Sequence, residues 1–160
     1  MPRESVERVV ADFESLSLGD PRRAERVRKV LAKLAEDPTA SIPAAMGSEA
    51  ALEGAYRLVN NSRVTFEDLH DAHARATAER ALNVQDVIVI HDTTNCSFPN
   101  GDPEKLGYLQ TRKAGFLLHY ALVLDAQQWR RPLGVIHAEV ICRKERSKRG
   151  RGASGFRSTR

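Results

Sequence analysis

Residues 4–16 read ESVERVVADFESL, in which Val6, Val9, Val10 and Phe13 recur at the spacing of one helical face. Gly19 interrupts this pattern, Asp20 reads as an N-cap, and Pro21 reads as a first helical residue. The run PRRAERVRKVLAKLAED then places Ala24, Val27, Val30, Leu31 and Leu34 on one face, with Arg22, Arg23, Arg26, Arg28, Lys29 and Lys33 around the rest, and Pro38 closes it. PTASIPAAMG reads as a loop. Ser48 with Glu49 opens a third helix, SEAALEGAYRLVNN, closed by Asn60 and Asn61, and Thr65 caps a fourth, TFEDLHDAHARATAERAL. The pattern predicts four helices and no strand before residue 83.

Beyond Asn83 the periodicity changes. VIVIHD, residues 87–92, is a short continuous apolar run of the kind that fills a central strand, and it ends on the carboxylate Asp92. NGDPEKLG is turn chemistry. FLLHYALVLDA and PLGVIHAEVIC are two further runs of strand length, which predicts a three-stranded meander. The expected fold class is α+β: a helical domain over 1–82, a partial sheet over 83–142, and a basic, disordered tail over 143–160.

Composition narrows the class. A chain of 160 residues with 41% hydrophobic content can build one core, or one core and part of another. Two cysteines, Cys96 and Cys142, make no disulfide framework, and they are too far apart to suggest zinc. No apolar run approaches the roughly 20 residues that span a bilayer. MPRESVERVV carries acids and no apolar stretch, so it does not read as a targeting peptide. These features predict a cytoplasmic protein with no membrane partner. The net charge of +4 is uneven, because residues 143–160 hold eight of the 25 Lys and Arg and one acid, Glu145. Such a tail either touches nucleic acid or is a solvated end.

Candidate chemistry rests on few residues. GDPRR puts two guanidinium groups at a helix N-terminus, where backbone N–H groups already favour phosphate. The helical half is either a DNA-binding module or a bundle whose arginines are solvated. Asp92 either ligates a divalent metal such as Mg²⁺ or caps the following TTN as an Asx-turn. His91, His119 and His137 read as packed or solvated histidines. No Gly-rich phosphate loop and no nucleophile elbow is present.

Three segments, LGDPRRAERVRKVLAKLAEDPTASI, GSEAALEGAYRLVNN and VIVIHDTTNCSF, resemble in order and spacing the N-terminal half of a bacterial DDE transposase of the transposon-five (insertion-sequence-four) type. The resemblance covers about residues 13–142. It implies a helical domain that binds the double-stranded DNA of transposon ends, followed by an RNase H-like catalytic core. Arg22, Arg23 and Arg26 match the family's GDPRR helix, and Glu49, Glu53, Tyr56 and Arg57 match its SEA…EGAYR helix, both implied to lie near end DNA. Asp92 matches the first catalytic aspartate, which holds Mg²⁺ in the family. The family's second Asp and its Glu have no counterpart in VICRKERSKRGRGASGFRSTR, which reads as a frameshifted or prematurely ended frame. The expectation is a truncated transposase-like, nucleoid-associated chain that binds end DNA and does not transpose alone. The alternative is a non-catalytic regulator that dimerises with, or competes against, a full-length transposase, or forms a homodimer.

Overall fold

A computed structural model describes residues 3–110, 113–128 and 131–144. The order is α1 (Arg3–Ala11), α2 (Pro21–Glu36), α3 (Ile42–Met46), α4 (Glu49–Val59), α5 (Phe66–Leu82), β1 (Val87–Ser97), α6 (Pro103–Leu106), β2 (Gly115–Asp125) and β3 (Arg131–Ile141). The α+β class and the meander are as expected, the sheet being antiparallel with strand order β1-β2-β3. The basic tail expected from residue 143 lies outside the described residues from 145 onward. Among the described residues no helix is long and apolar enough to cross a membrane.

The chain divides into two compact units, one of Met1–His91 with Tyr120–Ala138, the other of Asp92–His119 with the residues from Glu139 on. In the first unit the helices start where capping chemistry places them. The Asp20 carboxylate accepts the Arg22 N–H at 2.9 Å ahead of Pro21. Ser48 accepts from the Ala51 N–H at 3.3 Å, and Thr65 and Asp68 form a reciprocal capping box. The expected loop PTASIPAAMG contains a helix, α3, with Ser41 as N-cap and Gly47 as a left-handed C-cap. Phe13, Leu16, Leu18, Ala24, Val27 and Ala72 form the core, with Leu31, Leu58, Val64 and Leu69 packed against it. Each large side chain so buried contributes roughly 1.5–3 kcal/mol.

A polar network joins the turn after α1 to α5 and β3 within this unit. Asp12 is buried and accepts from both terminal nitrogens of Arg80 and, at 2.7 Å, from Nδ1–H of His73. His73 Nε2 accepts the Val135 N–H at 3.0 Å, which fixes the neutral Nδ1–H tautomer. Arg80 Nε donates to the Leu133 carbonyl at 2.6 Å. Two backbone groups on the outer edge of β3, the Leu133 carbonyl and the Val135 N–H, are thereby paired by side chains of α5. Gly134 lies between those two backbone groups at φ 147°, and a Cβ there would stand 2.1 Å from Thr77 Oγ1.

The sheet corrects three expectations about β1. The central strand is β2, in which Ala121, Val123, Leu124 and Asp125 are buried. Among the described residues β1 is an edge strand, and Val87, Ile88, Val89 and Ile90 are 38–46% exposed. It also continues through Thr93–Ser97, so TTN is strand rather than turn, and Asp92 stands in the middle of β1 instead of at its C-terminal end. In the second unit the Phe98 N–H donates to the Ala114 carbonyl at 2.9 Å, Phe98 packs on Phe116, and the Tyr108 N–H donates to the Arg143 carbonyl at 2.8 Å.

Candidate nucleic-acid interface

α2 and α4 border a groove of about 520 Å³ in the first unit. α2 supplies Arg22, Glu25, Arg26, Lys29, Val30 and Lys33, α4 supplies Ala50, Ala51, Gly54 and Ala55, and Met46 of α3 completes the lining. The four cations recur at i, i+4, i+7 and i+11, which is one helical face. At 1.5 Å per residue the row runs about 16 Å, close to five base-pair rises of duplex DNA. The opposite wall is made of small residues, so a bulky ligand can approach α4 closely.

The electrostatics favour an anion. Four cations and one carboxylate give the lining a formal charge of +3. Glu25 is engaged on its own helix, by Arg28 at 3.2 Å and Lys29 at 3.4 Å. Hydrogen bonds from Arg28, then from Lys29, hold its carboxyl below the usual carboxylate range. Arg22, Arg26 and Lys33 form no ion pair among the described residues. Arg26 reaches across to α4, where its guanidinium lies over the buried Gly54.

The residues singled out from sequence fall in three places. Arg22 and Arg26 line the groove. Arg23 turns the other way and donates to the Leu18 carbonyl at 2.7 Å, bracing the α1–α2 connection. Glu49, Glu53, Tyr56 and Arg57 follow the exposed face of α4, beside the groove wall rather than on it. There Glu53 and Arg57 form an i,i+4 ion pair, and Tyr56 is 47% exposed. The sequence reading did not single out Lys29 and Lys33 as site residues. The signal was present in the regular spacing of Arg22, Arg26, Lys29 and Lys33.

Asp92 does not assemble a metal centre with its described surroundings. It is exposed on the edge strand, and among the described residues no group of three or more His, Cys, Asp or Glu could hold a metal ion. Mg²⁺ needs near-ideal octahedral oxygen ligation and gives up its waters reluctantly, so the described residues around Asp92 alone make a poor ligand set for it. Asp125, the buried acid of β2, is committed elsewhere. Its carboxylate accepts the Gln127 N–H at 2.9 Å and the Gln128 N–H at 3.2 Å, closing the turn after β2.

Residues 9–64 match the family model described as transposase DNA-binding. The matched segment contains α2, α3 and α4, and therefore every residue that lines the cationic groove. The match supports DNA as the partner and a transposase-type N-terminal part for this segment.

Proposed function

We propose that this chain binds duplex DNA, with transposon ends as its target, by seating a phosphate strand along the α2–α4 groove. The observation that carries this reading is the row of Arg22, Arg26, Lys29 and Lys33, with a lining charge of +3, inside the segment that matches a transposase DNA-binding family. Cations on one face neutralise successive phosphates and release condensed counterions, which supplies affinity without reading sequence. Exposed Tyr56 and Arg57 on the adjoining face of α4 are the groups placed to add contacts beyond the backbone. Charge reversal tests the site: Arg22→Glu with Lys33→Glu should abolish a gel shift of terminal-repeat duplex. Parent-like shifting by that variant would place the interface elsewhere.

For the sheet we propose the opening strands of an RNase H-like core of the transposon-five type, with Asp92 as the position of the first carboxylate of a DDE set. The strand order β1-β2-β3 and the VIVIHDTTNCSF motif support it. Metal-assisted phosphoryl transfer draws its carboxylates from separate elements. Within residues 1–160 only Asp92 matches that set, so a polypeptide of these residues assayed by itself should show no Mg²⁺- or Mn²⁺-dependent nicking of terminal-repeat DNA. Asp92→Ala should leave DNA affinity unchanged.

One observation favours a second reading, a regulator that pairs with another transposase-type chain. Among the described residues the apolar run of β1 lies on a sheet edge, where exposed strands template pairing.

A further inference from the structure

We infer that Gly54 is a positioning residue for Arg26: the missing side chain on α4 is the seat in which the Arg26 guanidinium rests, and filling it moves that cation off the phosphate path. The inference rests on the DNA-binding reading above and adds a residue that carries no charge of its own. A Cβ built on Gly54 would stand 2.7 Å from Arg26 Nη1 and 3.8 Å from its Cζ. No other atom meets that Cβ within 4 Å apart from Gly54's chain neighbours and the backbone of α4.

Backbone freedom does not explain this glycine. Gly54 lies inside α4 and is absent from the positive-φ glycines, so its conformation suits any residue. Glycine is the poorer helix former there, so alanine would favour the helix itself. What alanine removes is space. Arg26 forms no ion pair or hydrogen bond among the described residues, so no bond to another side chain would hold its tip in place. A methyl group at position 54 displaces the guanidinium outward, and a planar fork suited to phosphate loses its position.

The test is a double-mutant cycle on the full chain with parent, Arg26→Ala, Gly54→Ala and the double variant. Duplex DNA affinity is measured by fluorescence anisotropy at several salt concentrations, and folding by thermal circular dichroism. Arg26→Ala should weaken binding roughly tenfold, the scale of one charge-assisted contact, and lower the salt slope by about 0.9. Gly54→Ala should reproduce both changes with an equal or higher Tm, and the double variant should bind no worse than Arg26→Ala. If the parent shows no salt-dependent duplex binding, the DNA-binding reading falls and this inference with it; if the parent binds and Arg26→Ala binds equally well, Arg26 is no phosphate contact and the positioning role alone is overturned. If Arg26→Ala weakens binding but Gly54→Ala does not, or if the two losses add, Gly54 does not act through Arg26 and the positioning role is overturned. A Gly54→Ala chain that fails to fold overturns it as well, because the methyl would then be meeting something less movable than an arginine tip.

Discussion

Asp12 shows how differently a charge reads in sequence and in three dimensions. Its carboxylate is 7% exposed and is held by Arg80, 68 residues away, and by His73, 61 residues away. Nothing in the local pattern of ESVERVVADFESL marks it, because the partners are distant in sequence. Removing one member of such a pair leaves an uncompensated buried charge. Arg80→Ala should therefore destabilise the fold by about 3–5 kcal/mol in urea unfolding. Asp12→Ala combined with Arg80→Ala should cost clearly less than the sum of the single changes, and strict additivity would contradict the network. Gly134 belongs to the same region. Gly134→Ala would meet Thr77 Oγ1 at 2.1 Å in a left-handed conformation and should cost about 2 kcal/mol or more, read as a lower denaturant midpoint.

At the level of elements, the sequence was most informative where capping residues and periodicity agree. Asp20-Pro21, Ser48 and Thr65 mark the starts of α2, α4 and α5, and all three are found as N-caps. α3 was missed although Ser41 and Gly47 bracket it, because five residues carry too little periodicity to outweigh the surrounding turn residues. β1 was misread in a more instructive way. VIVI is apolar on both faces, which is the pattern of a covered central strand, and pairing partners are not encoded in the strand itself. In the fold only β2 pairs with β1 among the described residues. If that edge mediates association, Ile88→Lys with Ile90→Lys should abolish any concentration-dependent rise in sedimentation coefficient and leave DNA binding intact. Self-association unaffected by both substitutions would locate the contact elsewhere. Within the groove, Glu25 is the one carboxylate of the lining, and hydrogen bonds from Arg28, then from Lys29, lower its pKa. Glu25→Gln frees Lys29 and should tighten duplex binding by about two- to fivefold, in line with a single exposed charge.

Over the whole molecule, the net charge of +4 says little about where DNA would sit, because acids and bases are mixed along the chain. The fold sorts them. α2 presents four cations on one face, while Arg23 and Arg28 turn back to the Leu18 and Phe13 carbonyls and act as braces. Composition and the GDPRR motif indicated a cationic helix, but which of its arginines line the groove depends on how α4 lies beside α2, a relation between elements that the pattern within α2 does not encode. The candidate interface was thus legible in type and only partly in membership. The most direct measurement is the salt dependence of duplex binding by the parent and by Arg22→Ala/Arg26→Ala/Lys33→Ala. If these three side chains contact phosphates, the slope of log K against log salt should shrink in magnitude by about 2.7, at roughly 0.9 per contact. Parallel salt plots for the two proteins would contradict the groove as the DNA-binding surface.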